Sequence, residues 1–212
     1  MIDLSNKYDF IYFIGDSFTF AINQADDVKR EVNKSNRFSS LVSSHFNLIE
    51  VNEGNPGCAN HYIFRKVYQD IHKFVDEGKK FLVVLAYTYP ERMEMFNNKV
   101  HIPVPINKGF SFYKDYIIES MNQDYCDQIS TELIWAIHTL LDSFGIDYVE
   151  SYMHSILKIP YAKNERVIPL PLESILDPVE DRFTPNGHAN IKGNAKIASH
   201  YINKISELYG TN

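Results

Sequence analysis

The chain contains little cysteine: only Cys58 and Cys126 occur among its 212 residues. Two cysteines cannot form a disulfide framework, and no spacing of cysteine and histidine resembles a zinc site. The sequence also lacks the roughly 18 consecutive apolar residues that a membrane-spanning helix needs. Its N-terminus has no basic segment followed by an apolar one, so we expect no secretory signal. These absences predict a reduced, cytoplasmic protein with no metal site and no membrane partner.

An excess of basic residues is missing as well. Lysine and arginine number 21 against 27 aspartates and glutamates, which gives a formal net charge of −6. Because nucleic-acid binding depends mostly on a positively charged surface, this balance argues against a nucleic-acid partner. Neither G-x-G-x-x-G nor G-x-x-x-x-G-K-[ST] occurs in the chain, which argues against a nucleotide-binding domain. We therefore expect no cofactor.

The residues that are present indicate one globular domain spanning 1–212. Hydrophobic residues make up 44% and charged residues 23%, a balance typical of neither disordered nor fibrous chains. Apolar runs typical of strands alternate with segments of helical periodicity. The predicted strands lie in 9–15, 47–52, 80–87, 146–150 and 166–170, and the main predicted helices in 60–77, 124–143 and 191–208.

This alternation predicts an α/β fold, namely a three-layer α/β/α sandwich around a mostly parallel sheet of about five strands. The segment of about 95–116 is rich in aromatic residues, proline and glycine, and we predict that it is an irregular loop bordering the site. Ligands of parallel sheets bind beyond the carboxyl ends of the strands. We therefore expect the loops after Gly15, Asn52 and Tyr87 to converge on one site.

Ser17 follows directly on the first predicted strand, in the sequence Gly-Asp-Ser-Phe-Thr of residues 15–19. A serine at this edge of a sheet can expose its hydroxyl as a nucleophile. The free N–H groups of a helical turn that follows it would then point at the group under attack. Taken alone, the pattern is more typical of a serine that caps a helix.

His188 lies near the other end of the chain, in the glycine- and asparagine-rich turn of residues 185–193 before the last predicted helix. A histidine in a loop that a helix anchors is well placed to accept a proton from a serine. The simpler interpretation of an isolated histidine of this kind is a surface residue in a turn. The two segments therefore indicate a catalytic site only when they are taken together.

Taken together, the segments resemble the SGNH (GDSL-type) hydrolases, serine esterases with a flavodoxin-like α/β fold. The resemblance extends over the whole chain in four blocks in the family order, which are residues 15–17, 51–60, 85–90 and 187–193. It implies that Ser17 is the nucleophile, that His188 is the general base and acid, and that the backbone N–H groups of Ser17 and Gly57 bind the oxyanion. The Tyr-Thr-x-x-x-Arg sequence from Tyr87 to Arg92 is similar to small members from phages and bacteria, for which the host cytoplasm or the virion would be the location.

The third block departs from the family, which has an asparagine as an oxyanion donor where this chain has Thr88. A threonine hydroxyl can also donate one hydrogen bond, so we predict that Thr88 keeps this role. Asn60, just after Gly57 in the second block, is a second candidate donor.

The fourth block departs as well, because Pro185 stands where the family has an aspartate three residues before the histidine. Asp181 and Glu180 are the nearest carboxylates upstream, and Asp181 is our candidate for the third member of a triad. A backbone carbonyl could orient the imidazole instead, which would leave a Ser–His dyad. Asn194 replaces a second histidine of the family, a change that we expect to be structural.

Aromatic residues make up 14% of the chain, and those without a predicted core position collect near the expected site. We predict that the substrate contacts Tyr87, Tyr89, Arg92, Phe112 and Tyr113. Aromatic faces suit sugar rings and acyl chains alike, and a cluster that only holds a long loop in place would have the same composition.

The leading hypothesis is therefore a serine esterase for O-acetyl or other small acyl esters, with a small-molecule or carbohydrate ester as its partner. The missing aspartate and asparagine leave open a glycan-binding or structural protein on the same fold. An acyltransferase that uses the same acyl-enzyme is the third alternative, since it differs only in the acceptor.

Overall fold

A computed structural model describes residues 2–20, 34–90, 92–97, 100–105, 123–153, 164–182 and 188–210. Its strands are β1 (Phe10–Gly15), β2 (Ile49–Asn52), β3 (Phe81–Tyr87), β4 (Arg92–Asn97), β5 (Val100–Pro105) and β6 (Tyr148–Tyr152). Its α-helices are α1 (Ser17–Phe20), α2 (Phe38–His45), α3 (Asn60–Asp76), α4 (Gln123–Ser143), α5 (Leu172–Ile175) and α6 (Ile191–Tyr209). None of the helices described is long and apolar enough to cross a membrane.

Four parallel strands form the central sheet in the order β2-β1-β3-β6. β1 and β3 lie in the middle and are buried along their whole length, which explains their continuous apolar sequences. The pairing of Gly15 with Ala86 brings the carboxyl ends of the two strands to the same edge. The loops that begin with Asp16 and Thr88 therefore start side by side.

Helices cover both faces of the sheet, which gives the three-layer sandwich expected from the sequence. α2 and α6 pack on one face over a cluster that includes Phe13, Phe38 and Tyr201. α3 and α4 pack on the other face over a second cluster around Tyr12 and Ile71. Side chains of successive strand residues alternate between the two clusters, as the pleat of a sheet requires.

The expected fifth strand is wrong, because the described sheet has four strands. Within residues 166–170, only Val167 forms a bridge to β6, opposite Glu150. The Ile168 N–H also donates to the Glu150 carbonyl at 2.9 Å. Pro169 follows and has no N–H to donate, so the ladder cannot continue.

The prediction of an irregular segment from residue 95 onward is also wrong over the part that the structure describes. β4 and β5 pair in antiparallel register, with Arg92 opposite Pro105 and Glu94 opposite Pro103. The prolines of β5 led to the wrong prediction, although a two-stranded ribbon tolerates proline wherever its outer N–H would face away from the partner. Residues 106–122, which include Phe112 and Tyr113, lie outside the described residues.

Candidate active site

Ser17 is the first residue of α1 and follows β1 after a single intervening residue, Asp16. The Asp16 carboxylate accepts a hydrogen bond from the Phe18 N–H at 3.0 Å, and the Asp16 backbone carbonyl accepts one from the Phe20 N–H at 3.0 Å. The Ser17 N–H has no hydrogen-bond partner in the described part of the chain. The turn therefore presents the hydroxyl and one free N–H of the same residue.

The structure brings Ser17 and His188 together, although 171 positions separate them in the sequence. The His188 Nε2 lies 2.8 Å from the Ser17 Oγ, a hydrogen-bond distance. The imidazole also packs against the ring of Phe18, with 5.4 Å between the ring centres. Phe18 thus holds the imidazole over the serine, a role that its place directly after Ser17 could have suggested and that the sequence analysis missed.

The position of His188 depends on the backbone around it. Ala189 forms a bridge with Arg182, and the Asn190 N–H donates to the Asp181 carbonyl at 2.9 Å. The Asn190 side chain caps α6 by accepting from the Gly193 N–H at 3.0 Å. These contacts attach the residues after His188 to the N-terminal end of α6, as an N-cap asparagine typically does.

Asn194 joins this segment to the layer of helices. Its Oδ1 accepts from the Phe38 N–H at the start of α2 at 3.0 Å, and its Nδ2 donates to the Ala189 and Asn190 carbonyls. The side chain is buried, so each of these bonds replaces a hydrogen bond to water. Asn194 thus has the structural role that we expected for it.

Burial lowers the pKa of His188 below its ordinary value. The Asp16 carboxylate acts in the opposite direction and raises this pKa, whereas the Arg92 guanidinium lowers it. The neutral imidazole, which can accept a proton from a serine, is the form that a lowered pKa favours at neutral pH.

Asp181 does not contact His188, so the prediction that it is the third member of a triad is wrong in this geometry. Its carboxylate forms an ion pair with Lys196 and accepts the Asp177 N–H at 2.8 Å. The Lys196 partner, more than any other group, lowers the pKa of Asp181. The Asp181 carboxylate therefore binds α6 through Lys196 and does not orient the His188 imidazole.

Glu180 does not take the place of Asp181 either, since its carboxylate pairs with Lys192 at the surface. Among the described residues, the His188 Nδ1 has no hydrogen-bond partner, although it is buried. The described arrangement is therefore a Ser–His pair without a carboxylate. Residues 183–187, which directly precede His188, are outside the described part of the chain.

Gly57 lies in the turn after β2, with φ at +75°, in the left-handed region that favours glycine. The turn is attached to the end of β1, because the Gly15 carbonyl accepts the Asn55 N–H at 2.9 Å and contacts the Cys58 Sγ at 3.4 Å. The Gly57 N–H has no partner within the described residues. Gly57 is thus a second free N–H at the edge of the sheet where Ser17 lies.

Thr88 and Asn60, the predicted side-chain donors to the oxyanion, use their side-chain hydrogens for bonds within the protein. The Thr88 hydroxyl donates its single proton to the Asp16 Oδ2 at 3.1 Å. The Asn60 Nδ2 donates to the Thr88 carbonyl at 3.2 Å and to the Ser130 Oγ at 3.3 Å. The Asn60 Oδ1 accepts the Thr88 N–H at 3.0 Å, so the two residues fasten α3 to the end of β3.

Arg92 completes this network from the start of β4. Its Nη1 donates to the Asp16 Oδ2 at 2.7 Å and to the Thr88 Oγ1 at 2.6 Å. The Asp16 carboxylate is buried, with 1% of its side chain exposed, and a buried charge needs partners. It has three hydrogen-bond donors, one of which is the positively charged Arg92. The Asp16 carboxylate thus contacts both the Phe18 backbone and the Arg92 guanidinium.

Tyr87 does not line a substrate site, contrary to the prediction. The side chain is fully buried in the core under α3 and α4, where its ring stacks on Tyr152 with 5.4 Å between the centres. Tyr89 points to the other face, is partly exposed and lies against the Arg92 guanidinium at 4.9 Å. Tyr87 is the last residue of β3 and follows its pleat into the core, whereas Tyr89 lies beyond the strand, where the alternation of the pleat no longer applies.

The described residues include no group of three or more His, Cys, Asp or Glu side chains that could hold a metal ion.

Comparison with known proteins gives matches at the level of structure. No protein-family model matches the chain, and no curated protein is detectably similar in sequence. A G-D-S-L family protein from Desulfitobacterium hafniense DCB-2 is similar in structure, with a TM-score of 0.57, 13% identity, and coverage of 92% of this chain and 99% of that chain.

Two esterases of known structure are similar as well. One is the psychrotrophic esterase EstA from Pseudoalteromonas sp., with a TM-score of 0.55, 9% identity, and coverage of 96% of this chain and 100% of that chain. The other is a carbohydrate esterase whose active site shows divergent catalytic and non-catalytic binding functions, with a TM-score of 0.56 and 12% identity. The match covers 94% of this chain and 69% of that one. The property that this chain shares with all three is the fold.

Proposed function

We propose that this chain, which has the fold of the SGNH (GDSL-type) hydrolases, is a serine hydrolase that cleaves ester bonds. The observation that carries the proposal is the hydrogen bond of 2.8 Å between the His188 Nε2 and the Ser17 Oγ. A hydroxyl that faces a neutral imidazole at the carboxyl edge of a parallel sheet is an activated nucleophile. Fold alone does not assign activity, so the proposal depends on this pair.

In the proposed reaction, the Ser17 Oγ attacks the ester carbonyl carbon while its proton moves to the His188 Nε2. The carbonyl π electrons move to oxygen, and the N–H groups of Ser17 and Gly57 donate to the resulting oxyanion. When the intermediate collapses, the bond to the alcohol oxygen breaks and His188 returns the proton to that oxygen. Water then repeats the sequence on the acyl-enzyme and releases the acid.

The pair works without a carboxylate in the described arrangement. A carboxylate would hold the imidazole in one tautomer and stabilise its charged form, and its loss lowers turnover by up to about 10⁴-fold while leaving the reaction possible. Phe18 and the anchored backbone of residues 188–190 supply the orientation instead. We therefore expect a slow esterase with a Ser–His dyad.

Small acyl esters, with O-acetyl groups on carbohydrate first among them, are the substrate class that we propose. A carbohydrate esterase is among the proteins of similar fold, and Tyr89 offers a partly exposed ring next to the network of Asp16 and Arg92. Transfer of the acyl group to a sugar in place of water would use the same steps, and product analysis with a sugar acceptor present separates the two outcomes.

Replacement of Ser17 by alanine tests the proposal. We expect Ser17→Ala to lower kcat on p-nitrophenyl acetate by roughly 10⁴-fold or more, because the nucleophile is removed. Asp181→Asn is the matched comparison, and we expect it to keep most of the wild-type rate because its carboxylate faces Lys196. Equal hydrolysis by Ser17→Ala and wild type would refute the proposal.

One observation favours a second candidate, a glycan-binding protein on this fold: the unpartnered His188 Nδ1 among the described residues. Covalent labelling of Ser17 by a fluorophosphonate probe distinguishes the two candidates. An activated serine is labelled and the label is lost in His188→Ala, whereas a serine in a purely binding site stays unlabelled.

A further inference from the structure

The Arg92 guanidinium has one edge whose donors contact no acceptor in the part of the chain that the structure describes. Its Nη1 is occupied by the Asp16 carboxylate and the Thr88 hydroxyl. Its Nε and Nη2 donate to no atom of the described residues, and 24% of the side chain is exposed. Since arginine stays charged at all physiological pH values, this edge is a permanent cationic donor that is open to a ligand.

The guanidinium is also held in one orientation. Asp16 fixes it from within the protein, and the Tyr89 ring lies 4.9 Å from the Arg92 Cζ on another side. Tyr89 is itself held by a hydrogen bond from its hydroxyl to the Glu173 carboxylate. Donors that are fixed before the reaction stabilise a developing charge without the cost of reorganisation.

The position of the Arg92 guanidinium relative to Ser17 follows from the residues that the guanidinium contacts. Asp16 immediately precedes Ser17, and Thr88 follows β3 next to the end of β1. The Arg92 charge is near enough to lower the pKa of His188. The guanidinium and the imidazole therefore both lie within electrostatic reach of the Ser17 hydroxyl.

The reaction needs such a donor. Attack by Ser17 creates an oxyanion, for which the Ser17 and Gly57 N–H groups are available, whereas the Thr88 hydroxyl and the Asn60 amide are engaged elsewhere. We propose that Arg92 donates from its free edge to this oxyanion and is a catalytic residue of the esterase. The inference rests on the proposed function and adds one hydrogen-bonding group to it. Arg92 donates hydrogen bonds and transfers no proton, so the bond changes given above are unaltered.

An anionic group on the substrate is the competing occupant of this edge. A charged substrate group would need Arg92 for binding in the ground state, whereas an oxyanion needs it in the transition state alone. The first role changes KM for anionic esters, and the second changes kcat for every ester. The two roles are therefore separable by kinetics.

The experiment compares wild type, Ser17→Ala, Arg92→Gln and Arg92→Lys on neutral p-nitrophenyl acetate and on the p-nitrophenyl monoester of succinic acid, which carries a carboxylate. We expect Arg92→Gln to lower kcat by about 10²–10³-fold on both substrates with little change in KM, as the loss of one oxyanion donor does. Arg92→Lys keeps the charge and the ion pair with Asp16, so its kcat should fall less than that of Arg92→Gln. Thermal melting shows which variants are folded.

Two further measurements keep the test decisive if Arg92→Gln is poorly folded. Added guanidinium at a non-denaturing concentration should restore kcat to Arg92→Ala, and Thr88→Val should lose less activity than Arg92→Gln because its hydroxyl only holds Arg92 in place. A kcat for Arg92→Gln equal to wild type on the neutral ester, or a loss confined to KM for the succinyl ester, overturns the inference while the esterase itself stands. Wild-type hydrolysis that does not depend on Ser17 overturns the esterase, and the inference with it.

Discussion

His188 carries the acid–base chemistry of the proposed reaction, and its neighbours act on its pKa in opposite directions. Burial and the Arg92 guanidinium lower the pKa, and the Asp16 carboxylate raises it, with a net lowering from the ordinary value of about 6.5. A general base works in its neutral form, so activity rises as the pH passes upward through this pKa. We therefore expect Asp16 and Arg92 to shift the pH range of the proposed reaction in opposite directions.

We predict that the acid limb of kcat/KM on p-nitrophenyl acetate has its midpoint below pH ~6.5. Asp16→Asn removes a group that raises the pKa of His188, so the midpoint should fall further. Arg92→Gln removes a group that lowers this pKa, so the midpoint should rise. The measurement is the full pH profile of each variant.

Arg92→Lys is the control for this prediction, since it keeps a positive charge beside Asp16 and should leave the midpoint close to that of wild type. Shifts of Asp16→Asn and Arg92→Gln in the same direction would contradict the electrostatic explanation.

At the scale of elements, α6 positions His188 through its first turn. Asn190 caps the helix and Asn194 bonds to the start of α2, while Gly193 allows the helix to approach the backbone of Asp181 closely. A Cβ on Gly193 would lie 2.2 Å from the Asp181 carbonyl oxygen, closer than any unstrained contact. The histidine loop and the helix are therefore packed as one unit around this glycine.

Gly193→Ala tests this packing. In an exposed helix interior, a change from glycine to alanine stabilises by about 1 kcal/mol. Here we predict the opposite sign, a loss of about 1–3 kcal/mol, because the added methyl group forces the helix away from Asp181. The free energy of unfolding from urea titration measures the effect, with the slope checked for two-state behaviour.

Ala195→Gly in the same helix is the matched control, since Ala195 is exposed and should show only the ordinary propensity cost of about 1 kcal/mol. Stabilisation by Gly193→Ala would show that the close approach is not a constraint.

At the scale of the whole molecule, the core on one face of the sheet encloses a buried pair of polar side chains. The face under α3 and α4 contains a buried acid, Glu150 on β6, whose carboxylate lies 2.5 Å from the His138 Nε2 on α4. Burial and the nearby Glu150 carboxylate raise the pKa of Tyr87 and Tyr152. His138 and Glu150 are therefore a polar link between α4 and the edge of the sheet, in a core that is otherwise mostly apolar and aromatic.

We predict that Glu150→Leu alone costs about 3–5 kcal/mol, because it leaves His138 buried without its partner. The double variant His138→Leu, Glu150→Leu replaces both groups by apolar ones and should regain most of this loss. Urea titration of wild type, both single variants and the double variant gives the coupling between the two residues. A double variant less stable than Glu150→Leu would show that the pair contributes net stability.

The order of elements could be predicted from local patterns, because buried faces of helices and strands require apolar residues at regular spacings along the chain. β1 and β3 are apolar throughout since both of their faces are covered, and α3, α4 and α6 begin and end within two residues of the predicted bounds. The same patterns misjudged residues 95–105 and 166–170. Prolines in β5 mark a ribbon edge and not a loop, whereas Pro169 ends a pairing that begins at Val167.

The local sequences also singled out Ser17 and His188, since a serine after a buried strand and a histidine before a helix are recognisable one by one. Side-chain partners at the site could not be predicted in this way. Asp181, Thr88 and Asn60 have the right chemistry and lie close to the expected places, yet their hydrogen-bonding groups face Lys196, Asp16 and Ser130. A hydrogen bond depends on direction and on distances of tenths of an ångström, which packing between layers sets and which no spacing along the chain encodes.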